Sequence, residues 1–237
     1  MMMLWASAAT FLGIHLFSAR MRLRDLVTNA IGETIYIVVF SLVSAAVLVW
    51  LWFAYNAARV SAENRVLYDL GSRVRDAALP IVLLAFLIGV PGLLLRKSPT
   101  RIGYQNTAPS PNSVMGIIAI TRHPFLWGFT IWSGFHLAAN GDEASVILFG
   151  SLFLLSLFGT VSIDAKRKRK LGADWDAFAA HTSNIPFAAI LAGRVKPNWR
   201  EIFGWPMAVA FLLFLLFLFG HARMTGISPF PDGWRFS

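Results

Sequence analysis

The chain contains no cysteine. That excludes disulfides, thiolate nucleophiles, iron–sulfur clusters and covalent attachment of a c-type haem. Charge is scarce too. Asp, Glu, Lys and Arg make up 14% of the 237 residues, where a soluble domain carries nearer a quarter. Acidic residues are the scarcer sign, 12 against 21 Lys and Arg. No P-loop, GxGxxG, GxSxG or HExxH pattern occurs, so the common sequence signatures of phosphate binding, serine hydrolases and zinc proteases are missing. There is no internal repeat and no low-complexity segment.

What fills the chain instead is apolar: 57% of residues are hydrophobic, in runs of roughly bilayer-spanning length. The runs predict an all-α, polytopic membrane protein of one domain, 1–237. Six spans are expected, at 4–19, 34–58, 79–95, 124–139, 144–163 and 205–219. The first is expected to be retained, because no basic region precedes it as in a signal peptide. The stretch 59–78 reads as a loop or short surface helix, and 96–112, with three prolines, as an irregular loop. Residues 172–194 read as an amphipathic cytoplasmic segment against the bilayer or the bundle, either a simple anchor or a lid. Counted loop by loop, 15 of the 21 Lys and Arg fall on one side of this topology. The positive-inside rule then puts both termini outside, in the periplasm if the membrane is a bacterial inner membrane. Orientation and contact with anionic lipid account for the net charge of +9, and nucleic acid is not an expected partner.

The stretch TRHPFLWGFTIWSGFHLAANG (121–141) is apolar, yet it holds an arginine and two of the five histidines. Ionisable groups at membrane depth have a partner or a task. Every fourth residue from Pro124 shares one helix stripe: Pro124, Gly128, Trp132, His136, Asn140. Gly128 would let a neighbouring helix or a flat ligand approach, with Trp132 and His136 beside it. His15 lies in the first span. Each intramembrane histidine can be a satisfied interhelical hydrogen bond. Two on different spans can also be axial ligands of one haem. The expected topology offsets them in depth by about 10 Å, which tilt would have to absorb. His123 is roughly 20 Å along the helix from His136, too far to share an iron with it. It is placed to cap the helix, to bind an anion with Arg122, or to move a proton. Arg122 and His123 are the catalytic candidates. Arg20, Arg22 and Arg122 could pair with haem propionates or snorkel to lipid phosphate. Asp164 is expected to pair with Lys168 at i,i+4 spacing. His181 and His221 read as surface residues.

Three blocks in order carry a resemblance: GIHLFSARMRLRDLVTNAIGETIYIVVFSLVS (13–44), residues 121–141, and DAKRKRKLGADWDAFAAHTSNIPFAAILAGR (164–194). They resemble the NnrU family, which also holds the plant and cyanobacterial 15-cis-zeta-carotene isomerases, membrane proteins with a b-type haem. The resemblance implies haem b ligated by His15 and His136, and a redox or cis–trans isomerase activity on a hydrophobic small molecule. For the bacterial members it implies a role in nitrite and nitric oxide metabolism, as an enzyme or as an assembly factor for nitrogen-oxide respiratory proteins. Ser133 stands where the isomerases carry a cysteine three residues before the second ligand, so a thiolate ligand switch is unavailable. A second resemblance joins RHPFLWG, Asp164, the basic run 166–170, LGADWDAF and IPF. This pattern is similar to isoprenylcysteine methyltransferases, which bind S-adenosylmethionine at the cytoplasmic face, but their paired glutamates are reduced here to Asp164.

Overall fold

The computed structural model describes residues 1–19, 21–94, 114 and 116–230. The elements are helical throughout: α1 (Met2–Ala19), α2 (Met21–Ile31), α3 (Glu33–Arg59), α4 (Ser72–Asp76), α5 (Ala78–Leu94), α6 (Pro124–Ala139), α7 (Glu143–Leu171), α8 (Ala173–Ala180), α9 (Ala188–Leu191), α10 (Trp199–Ile202) and α11 (Trp205–Thr225). A helix stands at each of the six expected spans, and α6 has the expected bounds. Three of them, α3, α7 and α11, are long and apolar enough to cross a membrane, and α1 with α2 makes a fourth if the bent pair is one span. Helices α5 and α6 are shorter, at 17 and 16 residues. The surfaces of α3 and α11 expose Leu42, Phe53, Leu212, Leu216 and Phe219, as helices facing hydrocarbon do.

Two basic stretches beyond the expected spans are helical. The flank after the first span is a further helix, α2, with Leu23, Val27 and Ile31 at i,i+4 spacing on its apolar side. The basic run 166–170 forms the last turns of α7, where cations complement the helix dipole. The expected loop 96–112, Arg20 and the side chain of Arg22 lie outside the described residues.

The chain's contacts fall into two compact units. The first holds residues 1–70 and 136–155. In it α1 packs along α3, and the 140–142 link between α6 and α7 is tied down by residues 64–68. Asp142 Oδ1 accepts from Ser145 N at 3.1 Å and from Asn64 Nδ2 at 3.0 Å, capping the start of α7. Asn64 Oδ1 accepts from Ala144 N at 3.0 Å. Burial works to raise the Asp142 carboxyl, but these hydrogen bonds outweigh it and hold the group below its usual value. The Tyr68 hydroxyl donates to Leu137 O near the end of α6. Gly141 is obligatory here, since a Cβ on it would lie 1.8 Å from Tyr68 O.

The second unit holds residues 71–135 and 156–237. Helix α5 packs along α11, with Phe86 against Phe214 and Phe217 at 6.0 and 5.7 Å between ring centroids. Its other neighbour is α6, met glycine to glycine. A Cβ on Gly128 would come 2.4 Å from Gly89 Cα and 2.6 Å from Ala85 O. One on Gly92 would come 2.6 Å from Phe125 N. Small residues at such crossings let two backbones approach and gain dispersion where no hydrophobic effect separates helix from lipid. Gly128→Ala is expected to destabilise the protein by about 3 kcal/mol or more in a detergent unfolding assay, because backbone atoms must move. Gly150→Ala, whose added carbon meets nothing nearer than Leu137 Cδ1 at 4.0 Å, is expected to leave the midpoint unchanged.

Candidate functional site

The densest polar cluster lies in the second unit, where α6 begins. Helix α6 starts at Pro124, a residue suited to the first turn because it has no N–H to satisfy. His123 is its cap: its carbonyl accepts from Trp127 N at 2.9 Å. Thr121 Oγ1 accepts from His123 N at 3.2 Å and donates to Asn184 O at 2.6 Å. The backbone of 120–122 is also stitched to the later loop, with Arg122 N donating to Ser183 O at 2.9 Å and Phe187 N to Ile120 O at 2.8 Å. Phe187 takes φ 64, a strained value for a bulky residue, and this last hydrogen bond helps to hold it there.

Asp164, on α7, is where the side chains converge. Arg122 Nε lies 3.0 Å from both carboxylate oxygens and Nη2 is 2.6 Å from Oδ2. His123 Nε2 donates to Oδ1 at 2.6 Å, and Asn184 Nδ2 to Oδ2 at 3.2 Å. Trp127 Nε1 donates in turn to Asn184 Oδ1 at 3.1 Å. The Arg122 guanidinium lies over the Trp175 ring, 5.7 Å from its centroid. The Arg122, His123 and Asp164 side chains are 14%, 1% and 18% exposed, so the pair is largely withdrawn from solvent. The expected Asp164–Lys168 pair does not form. Lys168 reaches Asp176 at 3.3 Å instead, because Asp164 faces α6 and the basic run faces outward.

A neutral imidazole that donates from Nε2 keeps Nδ1 as its basic nitrogen. A carboxylate-oriented histidine of this kind can hold or move a proton. His123 sits just before α6. Burial pushes its imidazole below the usual value, the hydrogen bond and charge of Asp164 pull it part of the way back, and Arg122 adds to the lowering.

Residues 172–194 turn part of their apolar face onto the protein. Trp175 and Phe178 are buried against Ile118. Arg194 Nη1 caps the end of α8, donating to Thr182 O at 3.0 Å and Ala180 O at 3.2 Å. Ile185 and Leu191 stay exposed.

Other expected residues are placed as follows. Trp132 packs at a tilt against Phe129, with ring centroids 5.3 Å apart. Ser133 is fully buried and its hydroxyl donates to Phe129 O at 2.7 Å, within its own helix. The open side of Gly128 is occupied by α5, which leaves no space there for a flat ligand. His15 belongs to the first unit. Its Nδ1 is 2.8 Å from Phe11 O, its Nε2 is 3.3 Å from Ser44 Oγ, and its ring contacts Phe11 and Phe40 at 4.5 and 5.4 Å. His136, in the same unit, packs its ring on Phe149 at 4.9 Å. His181 is exposed, and His221 Nδ1 meets Ile227 O at 2.8 Å. No cluster of three or more His, Cys, Asp or Glu suited to a metal ion occurs among the described residues.

The profile of the NnrU protein family matches residues 3–229. The chain belongs to the NnrU family. Over 116 residues, 48% of this NnrU chain, it is 33% identical to the chloroplastic 15-cis-zeta-carotene isomerase of Arabidopsis thaliana. The Zea mays isomerase matches over the same length at the same identity. The chain spans 32% of the length of each of these relatives. No solved structure matches it.

Sequence reading named Arg122, His123 and Asp164 but not their union, and it missed Trp127 and Asn184. The bonded partners are separated by 20 to 57 residues, and no periodicity links them. Asp164→Ala is expected to cost about 3 kcal/mol of stability, because it leaves buried Arg122 without its counter-charge. Lys168→Ala, at an exposed pair, should be indistinguishable from the parent in the same unfolding assay. The lowered His123 value also sets a pH dependence. The unfolded chain binds a proton below about 6.5 that the folded chain refuses, so stability is lost as pH falls through that value. The melting temperature in detergent is expected to drop between about pH 7.5 and 5.5, and the drop should be smaller in His123→Gln.

Proposed function

We propose that this NnrU-family chain is an integral-membrane b-type haem protein with six spans and both termini on the periplasmic side of a bacterial inner membrane. It acts through redox or cis–trans isomerisation on a hydrophobic molecule, or has a role in nitrite and nitric oxide metabolism. His15 and His136 are its axial ligands. The observation that carries the reading is the setting of His15. Its Nδ1–H is committed to Phe11 O, which fixes the ring plane; Nε2, 3.3 Å from Ser44 Oγ, is the nitrogen that would coordinate once that contact is given up. Metal-ligating histidines are commonly held this way, and a neutral imidazole suits an apolar helix bundle. Both imidazoles belong to one compact unit and sit among aromatic rings that would pack on a macrocycle.

Bound haem supplies one-electron chemistry at its iron. The chain's part is to hold and orient. Phe11 and Phe40 brace the His15 ring, and Phe149 braces that of His136. Ser133, with its hydroxyl turned back to Phe129 O, offers no soft alternative ligand. Arg122 and His123 act as positioning residues: through Asp164 they hold the 182–187 loop against the start of α6. A propionate role for Arg122 is not part of the reading, because its guanidinium is engaged by Asp164.

Detergent-purified protein is expected to show a Soret band with sharp α and β bands after dithionite reduction. His15→Ala and His136→Ala should each lower haem content at least several-fold, while His181→Ala and His221→Ala leave it unchanged. Absence of haem absorbance even after reconstitution, or equal retention in all four variants, overturns the assignment. S-adenosylmethionine binding measured by calorimetry would then favour a methyltransferase. Co-purification with nitrogen-oxide respiratory enzymes would favour an assembly factor.

A further inference from the structure

Between the Asp164 clasp and helix α11, the second unit carries a folded stretch, 185–205, with an apolar and cationic exterior. Its short helices are fixed to the body of the unit: Ile190 of α9 and Ile202 of α10 pack with Ile117 and Ile120. Ala189 is fully buried as well. Other large side chains of the stretch are left outside. Leu191 is 85% exposed, Trp199 51%, Phe203 68% and Trp205 66%. The Trp199 and Phe203 rings stack, with centroids 6.0 Å apart and planes 26° from parallel, so this exterior is an ordered surface. An apolar surface rimmed by charge marks an interaction site.

The charges narrow the partner. The stretch holds Arg194, Lys196 and Arg200 and one carboxylate, Glu201. Glu201 is engaged locally: Oε2 accepts from Gly116 N at 3.1 Å and Oε1 from Asn198 Nδ2 at 2.8 Å. Arg194 is used on the carbonyls at the end of α8. Lys196 and Arg200 are exposed, and neither meets a carboxylate among the described residues. The partner is therefore one that offers negative charge beside apolar volume.

The place of the stretch names it. Helix α11 is apolar enough to cross a membrane and has 21 residues. At about 1.5 Å per residue it is about 31 Å long, close to the hydrocarbon thickness of a bilayer. Its first residue, Trp205, then stands at the hydrocarbon edge, and Phe203 lies within about 7 Å of it along the chain. At that level tryptophan is enriched, and Lys and Arg reach lipid phosphate. A zwitterionic leaflet would take the rings but give the two cations no net counter-charge.

We propose that 185–205 is a lipid-docking platform. Leu191, Trp199 and Phe203 enter the leaflet at the start of α11, and Lys196 and Arg200 hold the phosphates of anionic phospholipid. The proposal rests on the membrane part of the proposed function and is independent of haem. The hydrogen bonds from Phe187 N to Ile120 O and from Arg122 N to Ser183 O then carry the position of the membrane surface to the start of α6.

Because the chain has no cysteine, single-cysteine spin labels report one position each. Leu191→Cys, Phe203→Cys and Leu216→Cys, all at exposed sites, are nitroxide-labelled in the full-length protein in nanodiscs of phosphatidylcholine and phosphatidylglycerol. Collision with oxygen, which prefers lipid, is compared with collision with nickel(II)-EDDA, which prefers water. All three labels are expected to favour oxygen. A Leu216 label that favours nickel would remove the spanning of α11, and the proposal with it. A Leu216 label in lipid with Leu191 and Phe203 labels in water would overturn the platform alone and leave this face to a protein partner. The charge is tested with photoactivatable phosphatidylglycerol and phosphatidylcholine at equal mole fraction, with crosslinks mapped by peptide mass spectrometry. Labelling of 185–205 by phosphatidylglycerol is expected to exceed that by phosphatidylcholine at least about fivefold, the contribution of one Lys or Arg at an anionic surface. Lys196→Gln combined with Arg200→Gln should bring the two probes to parity while circular dichroism and haem content stay as in the parent. Parity in the parent, or an unchanged preference in the double variant, overturns the assignment to anionic lipid.

Discussion

One carboxylate, that of Asp164, governs the end of the molecule where α6 begins. It takes the Nε–Nη2 edge of the Arg122 guanidinium, the His123 imidazole and the Asn184 amide. An arginine so little exposed needs a counter-charge, and here it has one in a two-point pair. Because Asn184 belongs to the loop after α8 and Trp127 to the second turn of α6, the same carboxylate also decides where the 182–187 loop lies. The backbone bonds of Arg122 N to Ser183 O and Phe187 N to Ile120 O follow from that placement. The motif that looked most like a catalytic centre is thus also a clasp.

The second constraint is the absence of side chains at Gly89, Gly92 and Gly128. It lets α5 and α6 meet at backbone distance, closer than any residue with a Cβ would allow. In a chain whose α3 and α11 turn so many large apolar side chains outward, close packing between helices has to carry what the hydrophobic effect carries in water. Hydroxyls contribute at the same places: Thr130 Oγ1 donates to Ser156 Oγ at 2.8 Å, joining α6 to α7.

In the first unit the organisation is aromatic. His15 is held between Phe11 and Phe40, and Phe40 in turn stacks with Tyr36. Family membership is established over residues 3–229. The two named relatives are carotene isomerases, and this chain covers about a third of each.

The sequence by itself determined where the long helices run. Apolar runs bounded by Gly, Pro and charge are local signals, so α3, α5 and α6 lie within a residue or two of expectation, and the Asn140–Gly141–Asp142 link was readable from composition. It also marked Arg122 and His123 as polar groups in an apolar stretch, and Asp164 as a carboxylate beside the basic run. Helix α2 was not legible, because its 11 residues carry two arginines and an aspartate among few apolar positions and read as a basic flank. Only the tertiary structure decided the partners. Asp164 chose Arg122 and His123, about 40 residues away, over Lys168 one turn along. The reason is that Lys168 is exposed, while burial makes the pair with Arg122 compulsory. It likewise gave the open side of Gly128 to another helix, and turned Trp175 and Phe178 onto Ile118 instead of lipid. Local periodicity states that a face is apolar or a group is polar; which neighbour satisfies it depends on three-dimensional proximity, and that no spacing in the chain encodes.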